Sequence, residues 1–281
     1  MTTYDALVVD AIRETPDSTT LVFDTGAPAK YRAGQYLTID PHQFLGLRNH
    51  VAYLEHLKGR KEAPRAYSMC SAPHEPYVAV TIKEEVFGPD TKYPPLLSGF
   101  LTYEVRAGDR MIVAGYTGAY ALPDNIESRA DHILHLCAGS GSVPNFSMIK
   151  DSLHRHTRLR HTFVYSNKTW QDVIFRDELT RLRTAYPSRL RVMHALTRDP
   201  GPFPSGEDVR TGRVNAEMLQ DAIGDLAGTI IYACGPAITV WERRACAAQG
   251  KTAPPRFLES MVSQLTSLSV PREKVKLEAY G

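Results

Sequence analysis

Cysteine is scarce in this chain of 281 residues: only Cys70, Cys137, Cys234 and Cys246 occur, and no two stand in a C-x-x-C pair. Such scatter excludes a disulfide framework and the usual zinc or dithiol redox spacing, and it fits a reducing cytoplasm. An excess of one charge is missing as well. With 33 Lys and Arg against 31 Asp and Glu, the net charge is +2, too balanced for a nucleic-acid binder that works by bulk basicity. There is no long hydrophobic run either. The longest uncharged stretch, LAGTIIYACGPAITVW at 226–241, is broken by Gly228, Gly235 and Pro236 and is shorter than the ~20 residues that span a bilayer. The opening MTTYDALVVDAIRE has no basic segment followed by an apolar one, so no secretory signal is visible. Ten histidines are present, but none falls in a helix-spaced ligand pattern with carboxylates, HRH at 154–156 being adjacent; no metal is expected, and surface positions are expected for the histidines. GSGSVP lacks the G-x-S-x-G frame of a nucleophilic serine.

What is present has two rhythms. At 43% hydrophobic content the chain can bury one large or two ordinary cores. The first half carries six short alternating or β-branched runs: DALVVDAI, TTLVFDT, QYLTID, RAYSMCS, YVAVTIKEE and DRMIVAG. Little helix separates them, which predicts a small six-stranded antiparallel barrel. Residues 41–63 interrupt the pattern with helix-like spacing (Leu47, Val51, Leu54, Leu57), and PLLSGFLTYEV predicts a short helix before the last barrel strand. After the polar stretch LPDNIESRAD the order becomes strand then helix, repeated: HILHLCAG, HTFVYSN, RVMHALT and TIIYACG each lead towards a helical segment. That alternation predicts a parallel sheet wrapped by helices, with ligands at the C-terminal ends of its strands. The fold class is therefore all-β followed by α/β, with domains at 1–125 and 126–281.

Three stretches carry chemistry. In LCAGSGSVPNFSMIK a strand ends at Ala138, small residues follow, and Pro144 can open a helix. Glycines at such a turn admit a pyrophosphate, although an ordinary strand-to-helix turn uses glycine too. In YACGPAIT, Cys234 ends a strand at the ligand edge, where it packs beside a flat ring or is simply buried. In RAYS at 65–68, a guanidinium, a phenol ring and a hydroxyl share one short strand, able to meet a phosphate, a flat heterocycle and a polar ring atom.

Seven landmarks occur in order: GQY at 34–36, RAYS at 65–68, AGD at 107–109, GYTGAY at 115–120, AGSGSVP at 138–144, CGP at 234–236 and a terminal EAYG. Together they resemble the ferredoxin-NADP reductase family, over almost the whole chain, and most nearly the reductase components that feed oxygenases. The resemblance implies a flavin-binding barrel followed by a nicotinamide-binding domain, with FAD and NADPH as cofactors. It implies that Arg65 holds the flavin phosphate, that Ala66 and Tyr67 line the flavin, and that Ser68 hydrogen-bonds near its reactive nitrogen. Ser98 matches a second phosphate contact, its hydroxyl also capping the following helix. Gly139, Ser140, Gly141 and Pro144 would cradle the nicotinamide cofactor's pyrophosphate. Cys234, Gly235 and Pro236 would lie beside the nicotinamide, and Tyr280 would cover the second flavin face. Ser68, Cys234 and Tyr280 form the expected catalytic set. Val143 departs from the family's usual threonine, and 41–63 is longer than its usual hairpin. In FVYSNKTWQDVIFRDEL no carboxylate precedes Asp172, whereas Ser166 and Lys168 stand where the adenosine ribose would lie, which favours NADPH over NADH.

The resemblance implies electron delivery to a separate ferredoxin, flavodoxin or oxygenase component, since no C-x4-C-x2-C cluster motif occurs. Neither nucleic acid nor a membrane is an expected partner. The cations Arg48, Lys58, Arg60 and Lys61, opposed by Glu55 and Glu62, could steer an acidic partner or belong to a solvated helix. Two other readings stand beside this one: a reductase of free flavin or small quinones, and a non-catalytic interaction subunit of the same shape.

Overall fold

The computed structural model describes residues 2–27, 29–88, 91–156 and 158–280. It divides into two compact units, Met1–Ala121 and Leu122–Gly281, the boundary lying slightly ahead of the sequence estimate.

The first unit is a six-stranded antiparallel sheet built from β1 (Thr3–Thr15), β2 (Ser18–Asp24), β3 (Tyr36–Ile39), β4 (Arg65–Ser68), β5 (Val78–Lys83) and β6 (Arg110–Thr117). Its order is β4-β3-β6-β1-β2-β5, and a bridge between Met69 and Val80 joins the two end strands. Alternation does the sorting here, because successive side chains leave opposite faces of a strand. Ala6 and Val8, Leu21 and Phe23, Leu37 and Ile39, Val80 and Ile82, and Met111 and Val113 all point into one core. All six runs that the sequence marks as strands are strands.

Segment 41–63 forms two single 3-10 turns and then α1 (Arg48–Lys58), which ends at Gly59 with φ of 65°, a left-handed backbone that glycine adopts without strain. Val51 and Leu54 bury its inner face. The second expected helix is α2 (Ser98–Tyr103).

The second unit is a six-stranded sheet ordered β10-β9-β8-β7-β11-β12, parallel throughout. Its strands are β7 (His132–Ala138), β8 (Arg160–Asn167), β9 (Leu190–Leu196), β10 (Asp208–Thr211), β11 (Thr229–Pro236) and β12 (Val275–Tyr280). Its helices are α3 (Ser142–Arg155), α4 (Arg176–Ala185), α5 (Ala216–Ile223), α6 (Val240–Ala248) and α7 (Phe257–Ser267). One sheet face presents Leu134, Leu136, Val164, Met193, Ala195, Ile231 and Ala233 to Met218 and Leu219 of α5 and to Leu258, Met261 and Leu265 of α7. Helix starts are capped as the sequence favours: Asn215 Oδ1 accepts from Met218 N at 2.9 Å, and Thr239 with Glu242 closes a capping box.

One expectation fails in the interior of this unit. His132, His135, His161 and His194 are not on the surface; they are 7%, 0%, 2% and 2% exposed. All four lie on strands of the central sheet; three of the rings are hydrogen-bonded by neighbours, whereas His194 Nδ1 is buried without a hydrogen-bond partner. His132 lies between Thr229 (3.0 Å) and Thr162 (2.9 Å), and the Trp170 ring meets His194 edge-on at 4.9 Å. Among the described residues no group of His, Cys, Asp and Glu could hold a metal ion, and no helix is long and apolar enough to cross a membrane.

Candidate functional site

In the second unit, the turn Gly139–Gly141 follows β7 and opens α3. Its two glycines are there for different reasons. Gly139 has φ of 53°, and a Cβ added to it would meet nothing within 4 Å, so this side of the turn is open. At Gly141 an added Cβ would stand 2.2 Å from the carbonyl oxygen of Cys234 and 2.8 Å from Gly235 N. Gly141 therefore serves the close approach of the turn to the end of β11. Gly235 is constrained likewise, by Phe257 at 2.7 Å and the Ala138 Cβ at 3.3 Å. The glycine turn and YACGPAIT, which the sequence places in one α/β unit with ligand edges able to face each other, are neighbours, β7 and β11 pairing with Cys137 opposite Cys234.

Buried side chains hold both turn carbonyls. Tyr165 Oη donates to Gly139 O at 3.0 Å, and Asn145 Nδ2 donates to Gly141 O at 3.1 Å. Behind Asn145 runs a chain whose direction is fixed by proton accounting. Because its Nδ2 is the donor, Asn145 Oδ1 accepts from His135 Nδ1 at 2.8 Å. His135 Nε2 then accepts from His161 Nδ1 at 3.0 Å, and His161 Nε2 accepts from Ser152 Oγ at 2.8 Å. In this arrangement both imidazoles are neutral, and His135 must be, since its Nε2 accepts from His161. Burial enforces that state: it pushes His135 down to about 4, and burial together with the neighbouring His135, His132 and Arg189 holds His161 well below the ordinary histidine range.

A cavity of about 210 Å³ opens at the C-terminal ends of β7, β8 and β9, beside Ala138, Ser166 and Thr197, and is closed by Arg213, Val214, Arg256, Phe257, Ser260 and Met261. This is the ligand edge of a parallel sheet. Of the pair expected to meet the adenosine ribose, Ser166 lines the cavity, whereas Lys168 lies beyond β8, exposed and outside the lining. The cations in the lining are Arg213 and Arg256. Neither was legible locally, since each stands in a connection that only the fold brings to the strand ends. Arg256 Nε donates to Glu242 Oε1 at 2.8 Å, which ties this wall of the cavity to α6. Hydroxyls from Ser166, Thr197 and Ser260 and two guanidinium groups make a donor set suited to a phosphorylated nucleotide.

Cys234 is fully buried, and burial with nearby Glu278 raises its thiol well above the usual range, so it is a neutral packing group. Glu278 of β12 lies opposite Cys234 in register, and Tyr280 opposite Pro236. Burial pushes the Glu278 carboxyl up. The sequence reading missed Glu278 because β12 was not expected; the alternation in VKLEAY was the available signal.

In the first unit, β4 carries Arg65 and Tyr67 on one side and Ala66 and Ser68 on the other, with Tyr36 opposite Ser68 and Leu37 opposite Tyr67. Ser68 is buried, Ala66 is exposed, and the Tyr67 phenol packs against the core, where burial raises its pKa. Arg65 Nη2 pairs with Glu62 and Nη1 donates to Ala63 O. Ser98 departs from expectation in one respect. Its hydroxyl accepts from Glu85 N at 3.0 Å instead of capping its own helix, whose first residue it is. A guanidinium, an aromatic ring and buried hydroxyls in one barrel segment form a donor set that fits a flavin nucleotide.

Known proteins match both units. A family model described as the oxidoreductase NAD-binding domain matches residues 136–240. The chain is 27% identical over 290 residues to a component of the 1,2-phenylacetyl-CoA epoxidase of Escherichia coli, covering 100% of this chain and 69% of that protein. It is 26% identical to the ferredoxin reductase component of 3-ketosteroid-9-alpha-monooxygenase of Mycobacterium tuberculosis, covering 97% of this chain and 64% of that one. It thus spans about two thirds of the length of these two relatives. Among solved structures, ferredoxin-NADP+ reductase from Plasmodium falciparum aligns with a TM-score of 0.69 at 16% identity, covering 99% and 96% of the two chains, a likeness of fold. An antiparallel six-stranded unit, a parallel nucleotide-type unit after it, and relatives that run the length of both lead to one assignment: residues 136–240 belong to the oxidoreductase NAD-binding domain family, and the chain is an NAD(P)H-dependent flavoprotein reductase with the fold of ferredoxin-NADP+ reductase.

Proposed function

We propose that the chain takes hydride from NADPH onto FAD and passes electrons singly to a separate redox protein, a ferredoxin or an oxygenase component. The observation that carries the reading is the cavity at the ends of β7, β8 and β9, with Arg213 and Arg256 facing Ser166 and Thr197 and, among the described residues, no carboxylate in its lining. An adenosine 2′-phosphate needs cations there, whereas a free 2′-hydroxyl calls for an acidic partner. Reductase components of oxygenase systems among the relatives support a protein acceptor, and four free thiols accord with a reducing cytoplasm.

In this reading the open side of Gly139, with Ser140, Gly141 and Pro144, accommodates the nicotinamide cofactor's pyrophosphate, while Arg213, Arg256 and Ser166 select its phosphorylated ribose. Arg65 holds the flavin phosphate by a charge-assisted pair, Ala66 and Tyr67 support the flavin, Ser68 donates to a ring atom, and Ser98 contributes to the phosphate contact. A bound flavin supplies the exchange between two-electron hydride chemistry and one-electron delivery. Cys234, Gly235 and Pro236 shape the nicotinamide's place, and Tyr280 supplies an aromatic cover. Glu278, its carboxyl raised by burial, can hold a proton opposite Cys234.

Steady-state reduction of cytochrome c tests both halves of the proposal. Activity is expected to require an added iron–sulfur protein, and Arg213→Gln is expected to raise KM for NADPH by about tenfold or more while moving that for NADH by less than about twofold, a lost charge-assisted contact being worth roughly 1.5–3 kcal/mol. Equal losses with both coenzymes would overturn the NADPH assignment. Rapid reduction of small quinones with no benefit from any protein acceptor would overturn the proposed partner.

A further inference from the structure

The segment 41–63 holds a buried carboxylate with no part in the proposed function so far. Glu62 is 4% exposed at its side chain; its Oε1 accepts from Lys58 Nζ at 2.5 Å and its Oε2 pairs with Arg65. Lys58 is itself 11% exposed and lies over the Tyr93 ring at 4.8 Å. Glu62 N donates to Glu55 Oε1 at 3.0 Å, and Glu55 also meets His42 Nε2 at 2.9 Å. Glu62 is thereby fixed by its own backbone and by α1. Arg65 differs: 35% of its side chain reaches solvent.

From this arrangement we infer that Glu62 is a positioning residue for flavin binding: it holds the inner edge of the Arg65 guanidinium so that the outer edge meets the flavin phosphate. The inference rests on the reading of Arg65 as the phosphate ligand. A guanidinium has five N–H groups, and the bonds to Glu62 and to Ala63 O use two of them, which leaves three for an anion. The sign of the effect follows from charge. Lys58, Glu62 and Arg65 together carry a net charge of about +1, so the carboxylate is balanced by Lys58 and does not cancel the cation that faces solvent. Orientation is the remaining effect, and a preorganised fork loses less entropy when it engages a phosphate.

Binding of FAD and of riboflavin, which has no phosphate, to the full chain by quenching of flavin fluorescence tests the inference without any turnover. Glu62→Gln is expected to weaken FAD about tenfold and riboflavin less than about twofold, and to add nothing to the loss in an Arg65→Ala background. Lys58→Gln leaves Glu62 balanced by Arg65 alone, and is expected to weaken FAD selectively as well; it serves if Glu62→Gln does not fold. Unchanged or tighter FAD binding by Glu62→Gln, or equal weakening of FAD and riboflavin, would overturn the positioning role. If Arg65→Ala itself leaves the preference for FAD over riboflavin intact, the reading of Arg65 falls first, and the inference falls with it.

Discussion

Acidification from about pH 7 to about pH 5 is expected to remove on the order of 5 kcal/mol or more of stability from the second unit, a large share of the 5–15 kcal/mol that domains usually possess. The cause is the set of buried histidines. Burial lowers His132, His135 and His194 to about 4, with Arg160 also acting on His132 and Arg183 on His194, and holds His161 well below the ordinary value. The unfolded chain takes up protons on these residues near pH 6.5, whereas the folded chain does not. The folded state thus binds fewer protons below that pH, and its stability falls as pH falls. The loss begins near pH 6.5 and continues to about 4. Each histidine contributes up to roughly 1.4 kcal/mol per pH unit in that window. The decline should coincide with loss of the bonded chain from Ser152 to Gly141, since protonating His135 sets its Nε2–H against the Nδ1–H of His161. Urea unfolding at a series of pH values measures the slope. His194→Phe, which removes one titrating ring, is expected to reduce it by about 1.4 kcal/mol per unit; a stability that stays level down to about pH 5 would contradict the buried neutral state.

Gly141→Ala is expected to lower the melting temperature of the second unit by about 10 °C and to abolish nicotinamide binding. The added methyl would stand 2.2 Å from the oxygen and 2.5 Å from the carbon of the Cys234 carbonyl. Both obstacles are backbone of a central strand paired on each side, by β7 and by β12, so the turn must move instead. Such overpacking costs about 3 kcal/mol or more, and in a unit of this size each kcal/mol shifts melting by about 2–4 °C. Gly139→Ala is the matched comparison. Its Cβ meets open space, so only the left-handed backbone opposes it, at about 1–2 kcal/mol. A larger effect at Gly139 than at Gly141, in calorimetric melting, would contradict the packing of the turn against β11.

Much of this fold was legible because its period is local. The six barrel strands alternate, and β7, β8, β9 and β11 are apolar runs bounded by turns. What was missed depends on position. The four-residue β10 pairs only with β9 at the sheet's edge and is partly exposed, so DVRT has no apolar signature. β12 is likewise an edge strand. The helix α7 could have been read, since Leu258, Met261 and Leu265 keep helical spacing. The histidines misled because residue type suggested surface while their place in runs such as HILHLCA indicated the interior. In the candidate site, the glycine turn and RAYS were readable as motifs, but the cations were not. Arg213 and Arg256 reach the cavity from separate connections, and Lys168, close in sequence to Ser166, stays outside it. Even the basic character of 41–63 changes with the fold: Lys58 is enclosed against Glu62 and Tyr93, so it is no surface charge for a partner.

The central proposal is that one chain binds FAD and reduces it with NADPH. Anaerobic titration of the FAD-reconstituted protein, followed through the visible flavin absorbance, tests it most directly. Bleaching complete at about one NADPH per flavin is the expected result. A protein that stays colourless with excess FAD, or a bound flavin that keeps its colour under excess NADPH and NADH, would contradict it.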